Sequence, residues 1–252
     1  MVMTSHGQEL ELIREYGEIE NMIAVDRLGH IYSIEEGVLK RFDNYLSVVT
    51  YSNPTLGRIT HVDVSNPLGL VVFFGEFGVV VILDRNLTEK SVITTDKFAG
   101  NDLPRLVCSS SKGGFWAFFE TSSKLARFSD QGLKQAESIE IVRNHPQFSR
   151  PFFIKEYGER LYLGASGIWA FDLFGNYLFN IVPEINAQKF QVADNKIVWL
   201  DDQQLRFYDM THDVYRSVRL LNKNIHSFFL RGDILYLQTD VSLKKFRLKV
   251  AF

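Results

Sequence analysis

The residues of this chain that could do chemistry are mainly carboxylates in short polar segments. Glu35 and Glu36 are adjacent in one such segment, and Asp201 and Asp202 are adjacent in another. Glycoside hydrolysis needs two carboxyl groups about 5 to 10 Å apart on either side of a sugar. Adjacent acids in a turn point apart, and Asp is common in turns because its side chain accepts backbone hydrogen bonds. These pairs therefore favour turn structure over acid–base catalysis.

Nucleophiles and soft metal ligands are equally sparse. The segment GASG, which contains Ser166, lacks the G-x-S-x-G spacing of a nucleophile elbow and is interpreted as a hairpin turn. Cys108 is the only cysteine, so no internal disulfide and no C-x-x-C site can form. The six histidines include no pair at metal-ligand spacing, and there is no phosphate-binding glycine loop. The motifs favour a protein that is not an enzyme, without deciding the question, and we expect no cofactor.

The composition indicates a folded domain with an extensive core. Of the 252 residues, 46% are hydrophobic and 13% aromatic, and 21 are Phe, which favours strands. Lys and Arg total 28 and Asp and Glu total 30, which leaves a net charge of -2. That balance provides no overall field to attract nucleic acid or an anionic membrane surface. No apolar run is long enough to span a membrane.

Three landmarks recur six times in the same order along the chain. An aromatic-rich apolar run is flanked by two turn signals, and a second apolar run follows that ends in Asp or a substitute for it. The second residues of these junctions lie 37 to 45 positions apart. The six junctions are Phe42-Asp43, Leu83-Asp84, Phe128-Ser129, Phe171-Asp172, Tyr208-Asp209 and Phe246-Arg247.

Each repeat contains four short strands, which we label A to D along the chain. Strand B is the aromatic run, and strand C ends at the apolar–Asp junction. Four-stranded antiparallel units of this length are the blades of β-propellers. The sequence therefore predicts an all-β fold, a six-bladed β-propeller with four-stranded antiparallel blades. The alternative is a two-sheet sandwich, which would have to fold about 24 strands into two layers.

The two ends of the chain complement each other. The sixth repeat stops after strand C, and an extended segment, ELELIREYG (residues 9–17), precedes the first strand A. If this segment is strand D of the sixth blade, it pairs with a strand edge that would otherwise promote aggregation. We therefore expect one domain over residues 9–252. Residues 1–8 are expected to be a flexible segment, or a remnant of an export signal or of cloning.

Two recurring patterns resemble those of known propellers. They are the run DRLGHIY (residues 26–32) and the runs GVLKRFD (37–43) and GIWAFD (167–172). These runs resemble the broad bacterial group with pyrroloquinoline-quinone-type and NHL-type repeats. The tryptophan docking signature of the quinoprotein enzymes is absent, so the resemblance implies no quinone cofactor. The stretch 62–87 is similar to short exported propeller proteins of Bacteroidetes, which implies a periplasmic or outer-membrane setting, with a cytoplasmic location as the alternative.

In a propeller, the B–C turns and the D–A connections lie on one face. Here the B–C turns carry carboxylates, and the D–A connections carry Arg, Lys and aromatic residues. Because aromatic residues and Arg are the usual anchors of protein interfaces, we predict that this face binds a partner. Phe77, Phe98 and Phe148 are expected to be exposed at its centre. The predicted partner-binding residues are Glu76, Phe77, Phe98, Arg105, His145, Phe148 and Arg150.

The sequence thus predicts a non-enzymatic protein-interaction module or assembly subunit, and the resemblance implies a place in a bacterial cell-envelope complex. Its partners would be proteins, not nucleic acid, and it would associate with a membrane complex without spanning the membrane. The alternative is a small-ligand or metal-binding enzyme of the lactonase or lyase type that uses the axial channel. In that case, the metal candidates are Glu36, Glu120, Asp202 and Asp240.

Overall fold

A computed structural model of the protein describes residues 10–17, 19–66, 68–98, 102–181, 190–193, 195–201, 203–220 and 224–249. Residues 1–8, expected to be a flexible segment, lie outside these ranges. The described residues form 24 strands and three short helices, which are a 3-10 helix (Pro54–Leu56), α1 (Thr95–Phe98) and α2 (Ile141–Asn144). None of the described helices is long and apolar enough to cross a membrane.

The strands form six four-stranded antiparallel sheets, one for each repeat. Blade 1 consists of β2 (Met22–Val25), β3 (Ile31–Glu35), β4 (Val38–Phe42) and β5 (Val48–Tyr51). Blade 2 consists of β6 (Ile59–Asp63), β7 (Leu70–Phe74), β8 (Val79–Leu83) and β9 (Glu89–Ile93). Blade 3 consists of β10 (Pro104–Ser109), β11 (Phe115–Phe119), β12 (Lys124–Phe128) and β13 (Lys134–Glu137).

The later blades repeat the same order. Blade 4 consists of β14 (Phe153–Tyr157), β15 (Arg160–Ala165), β16 (Gly167–Asp172) and β17 (Tyr177–Ile181). Blade 5 consists of β18 (Phe190–Ala193), β19 (Lys196–Asp201), β20 (Gln204–Asp209) and β21 (Val214–Arg219). Blade 6 consists of β22 (Ile225–Arg231), β23 (Ile234–Thr239), β24 (Leu243–Leu248) and β1 (Leu10–Tyr16). The protein is therefore a six-bladed β-propeller, as predicted, and not a sandwich.

The N-terminal strand completes the last blade, which confirms the predicted closure. Strand β1 runs antiparallel to β24, and the register extends from Leu10 opposite Leu248 to Tyr16 opposite Leu243. The register shifts between Leu12 and Arg14, where β1 carries an irregularity. Strand β24 thus has a neighbour on both sides, and its backbone groups are not left at an edge.

The aspartates that mark the repeat close the turn between strands C and D. Asp43 Oδ1 accepts hydrogen bonds from the backbone N–H groups of Tyr45 and Ser47, each at 2.8 Å. Asp84 and Asp172 make the same two contacts in blades 2 and 4. The bond from the Ser47 backbone is the main reason that the pKa of Asp43 lies below its usual value. The repeat signal in the sequence is therefore a turn-closing side chain.

The described residues form two compact units. One unit covers residues 23–188, and in it every residue of β7, β8 and β11 is buried, because strands B and C have apolar residues on both faces. The other unit contains β1 and blades 5 and 6, and its core includes Leu205, Phe207 and Leu237. Each unit therefore has a hydrophobic core of its own.

Candidate functional site

Phe77 lies at the tip of the turn between β7 and β8 and is 55% exposed. The hydroxyl of Thr95 donates to the carbonyl oxygens of Phe77 and Gly78, both at 3.0 Å. Gly78 has a φ of +65°, and a Cβ there would lie 2.4 Å from Thr95 Oγ1 and 3.1 Å from a methyl group of Leu103. The tip is therefore held in one conformation that favours glycine, and the partly exposed Phe77 ring has one edge over Gly57.

Arg105 and Arg150 converge on the carboxylate of Glu120. Arg150 forms a bidentate pair, with Nε 2.5 Å from Oε1 and Nη2 3.2 Å from Oε2. Arg105 donates from Nη1 to Oε2 at 3.2 Å and from Nε to the carbonyl oxygen of Pro151 at 2.9 Å. The pairing brings two predicted partner-binding residues together with a residue that was a metal candidate.

Leu103 connects the exposed tip to the arginine cluster. Leu103, which is 52% exposed, contacts the Phe77–Gly78 turn and is followed in the chain by Pro104 and Arg105. All of these residues belong to one compact unit. We refer to Phe77, Leu103, Arg105, Glu120 and Arg150 as the blade 2–4 patch.

The expected exposure of Phe98 and Phe148 is wrong. Phe98 ends helix α1, is only 8% exposed, and packs edge-on against Phe115 and Phe128 with ring centroids 5.3 and 5.1 Å apart. Phe148 follows α2, is 6% exposed, and packs on Trp169 at 5.2 Å. These two D–A connections form short helical turns whose apolar side chains enter the core, so the two rings stabilise the fold.

The other two predicted partner-binding residues differ in exposure. His145 is half-buried, with its ring centroid 4.1 Å from that of Tyr177 and 5.5 Å from that of Trp169. Glu76 is exposed beside Phe77, and its side chain lies over Gly57. His145 therefore belongs to an aromatic cluster, and Glu76 belongs to the turn that carries Phe77.

Three of the four metal candidates lie within the described residues, and each of them belongs to a different turn. Glu120 is paired with two arginines, and Glu36 lies in the β3–β4 turn with a φ of +51°. Asp240 accepts a hydrogen bond from Asn224 and pairs with His226, and these contacts lower the pKa of Asp240. Asp202 lies outside the described residues. Within the described part of the chain, no group of three or more His, Cys, Asp and Glu side chains could hold a metal ion.

The structure contains a buried polar cluster near the ends of the A strands that the sequence analysis does not predict. The carboxylate of Asp63 is buried. It accepts hydrogen bonds from Lys155 Nζ at 2.6 Å, the Ser65 hydroxyl at 2.6 Å and the Ser109 N–H at 3.1 Å. Glu156 is also buried, and its carboxylate accepts a hydrogen bond from Trp116 Nε1 at 2.7 Å.

These two carboxylates occupy corresponding places in the repeat. Asp63 ends β6, and Glu156 is the penultimate residue of β14. A carboxylate near the end of strand A in two repeats was the signal that could have found the cluster, because buried acids need partners.

No family model and no curated protein matches the chain. Several solved structures do match the chain. Virginiamycin B lyase from Staphylococcus aureus has a TM-score of 0.66 at 12% identity, over 95% of this chain and 100% of that one. BamB from Moraxella catarrhalis has a TM-score of 0.57 at 11% identity, over 94% and 99% of the two chains. BBS1N in complex with ARL6DN has a TM-score of 0.60 at 14% identity, over 92% and 80%.

The fold is shared. At these identities the likeness extends to the fold and not to the activity. The matched propellers include a lyase and a protein solved in complex with another protein, so the function of this chain has to be argued from its own surface.

Proposed function

We propose that this protein is a non-enzymatic binding module that receives a protein partner on the blade 2–4 patch. The observation that carries the proposal is the Phe77 ring, which is exposed on a turn held by Thr95 and Gly78. A hairpin tip needs no large apolar residue for its own stability. Burying such a ring against a partner contributes roughly 1.5 to 3 kcal/mol.

The surroundings of Phe77 support an interface. Leu103 extends the apolar surface, and exposed apolar residues that cluster on a soluble protein tend to mark interaction sites. Arg105 and Arg150 add the residue type that most often anchors an interface beside aromatic rings. The turn is already ordered, so a partner would not have to fix its backbone on binding.

The proposal includes a cell-envelope setting for the module. The resemblance of its repeats to pyrroloquinoline-quinone-type and NHL-type propellers, and to short exported propellers of Bacteroidetes, supports this setting. The BBS1N propeller, solved in complex with ARL6DN, is an example of this fold engaging another protein. Fractionation of the source cells, followed by detection of the native protein, tests the setting independently of the patch.

The test of binding compares three forms of the immobilised protein in an extract of the source cells. The forms are the unmodified protein, Phe77→Ala and Phe174→Ala. Phe174 is a matched control because it is a 72% exposed phenylalanine in the β16–β17 turn, outside the patch. Loss of a central aromatic anchor typically costs about 2 kcal/mol or more, which is some thirtyfold in affinity.

We expect a defined set of proteins to be lost from Phe77→Ala and retained by Phe174→Ala. Both variants should keep the melting temperature of the unmodified protein, since both rings are exposed. Equal recovery of the same proteins by all three forms would show that the partner binds elsewhere.

A further inference from the structure

We infer that the partner segment presents a carboxylate to Arg105 and Arg150, beside an apolar side chain that packs on Phe77 and Leu103. This inference rests on the proposed function, because it names the chemistry of what the blade 2–4 patch binds. It also predicts a pattern in the partner's sequence, which is an acidic residue near an apolar residue.

The charge of the arginine cluster supports an acidic ligand. Two guanidinium groups share the single carboxylate of Glu120, so Arg105, Arg150 and Glu120 together carry a net charge of +1. A protein whose total charge is -2 would not be expected to attract anions in general, so the excess acts locally. A single local charge is too little for a nucleic-acid backbone, which is bound through several phosphates.

The pairing of Arg150 with Glu120 uses only one edge of its guanidinium group. Arg150 uses its Nε–Nη2 edge for Glu120, so its Nη1–Nη2 edge is directed away from that residue. Guanidinium presents five N–H donors in a fixed plane, and this second edge fits a carboxylate in a bidentate pair. Arg150 is an exposed residue and can reach a ligand above the patch.

Arg105 is preorganised for the same ligand. Its Nε donates to the carbonyl oxygen of Pro151 and its Nη1 donates to Glu120, so two bonds fix the plane of the guanidinium. It is half-buried, and it lies two residues from Leu103. A carboxylate bound here would sit beside apolar surface, where charge-assisted hydrogen bonds are stronger than in open water.

The test selects binders from a random-sequence peptide library displayed on phage. The targets are the unmodified protein, Phe77→Ala, Arg150→Gln and the control Arg27→Gln, whose exposed arginine lies in the β2–β3 turn outside the patch. We expect the unmodified protein and Arg27→Gln to enrich peptides with Asp or Glu near an apolar residue. Arg150→Gln should lose the preference for the acid, and Phe77→Ala should lose the binders.

A selected peptide then measures the coupling between its own carboxylate and Arg150. Its Asp→Asn or Glu→Gln form should bind the unmodified protein roughly tenfold to a hundredfold more weakly, the range for a hydrogen bond to a charged group. The same change should have little effect on Arg150→Gln, because the contact is already absent. Glu120→Gln should bind the acidic peptide more tightly than the unmodified protein does, since a competing carboxylate has been neutralised.

The outcomes separate the two proposals. Peptides that require Phe77 but show no preference for acids would overturn this inference and leave the proposed interface standing. Binding of an acidic peptide that is unchanged in Arg150→Gln, or weakened in Glu120→Gln, would also overturn it. If no enriched peptide depends on Phe77, both the inference and the proposed function are wrong.

Discussion

Lys155 Nζ lies 2.6 Å from Asp63 Oδ1, although Lys155 belongs to blade 4 and Asp63 belongs to blade 2. Blade 3 takes part in the same contact, because the backbone N–H of Ser109 donates to Asp63 Oδ2 at 3.1 Å. One buried carboxylate therefore joins the A strands of three consecutive blades. Such a polar contact holds neighbouring blades in register. It is needed because the packing of apolar side chains alone is non-directional.

Lys155→Met should destabilise the protein by about 3 to 5 kcal/mol, because it leaves the buried carboxylate of Asp63 without its counter-charge. Urea unfolding monitored by tryptophan fluorescence measures the change. The double variant Asp63→Asn with Lys155→Met should recover a large part of the loss, since both charges of the pair are then removed together. Lys112→Met, at an exposed lysine of the β10–β11 turn, is the control and should unfold like the unmodified protein. Equal stability of Lys155→Met and Lys112→Met would show that the pair contributes nothing.

Acid should weaken the same contact. Burial alone would raise the pKa of Asp63, but the charge and hydrogen bonds of Lys155 and Ser65 lower it to about 2. Because the pKa is lower in the folded state than in the unfolded chain, the carboxylate stabilises the fold above about pH 4, and this contribution is lost as the pH falls towards 2. The free energy of unfolding should fall by about 2.5 kcal/mol, at 1.36 kcal/mol for each pKa unit by which folding lowers the pKa.

The acid-dependent part can be isolated by comparing two proteins. The unfolding free energy of the unmodified protein should fall more steeply between pH 4 and pH 2 than that of the double variant Asp63→Asn with Lys155→Met. The turn aspartates, such as Asp43, also have lowered pKa values, but they contribute equally to both proteins. Parallel pH profiles would contradict the assignment of the steep part to Asp63.

Phe98→Ala and Phe148→Ala should each lower the unfolding free energy by about 3 to 5 kcal/mol, the cost of removing a buried phenylalanine side chain. Phe77→Ala should change it by less than about 0.5 kcal/mol, because that ring is exposed. Chemical unfolding of the three variants side by side provides the comparison. A Phe98→Ala or Phe148→Ala protein as stable as Phe77→Ala would mean that the short helices α1 and α2 do not hold these rings in the core.

Deletion of residues 1–17 should make the protein aggregate, because it removes β1 and exposes the edge of β24. Size-exclusion chromatography and light scattering report the change. The control is a deletion of residues 1–8 alone, which we propose lie outside a single domain over residues 9–252, and it should behave like the full chain. A protein without residues 1–17 that stays monomeric, with an unchanged melting temperature, would show that β1 is dispensable.

The repeat could be predicted from sequence because its signals are local. Turn residues, alternating apolar runs and the closing aspartates at Asp43, Asp84 and Asp172 act within a few positions of each other, so each blade is specified by its own segment. The pairing of β1 with β24 could also be predicted, since one repeat lacked a strand and one segment lacked a partner.

The candidate site could be predicted only in part, because its contacts join positions that are distant in the sequence. Phe98 and Phe148 were expected at the surface, since loop position alone does not show that a connection turns back into the core. The pairing of Arg105 and Arg150 with Glu120 joins segments 15 and 30 residues apart, and no periodicity encodes it. Lys155 and Asp63 are 92 residues apart, and only the packing of consecutive blades brings them together.

The pairing of β1 with β24 also determines the order of events at the ribosome. Strand β1 leaves the exit tunnel long before its partner β24, so blade 6 cannot be completed until β24 has been synthesised. Until then β1, with its exposed Leu12 and Ile13, is an unpaired strand on a growing chain. Contacts between such distant segments form slowly, because a long loop must close before any of them is gained. We therefore expect the nascent protein to need protection of β1 until β24 has emerged from the ribosome.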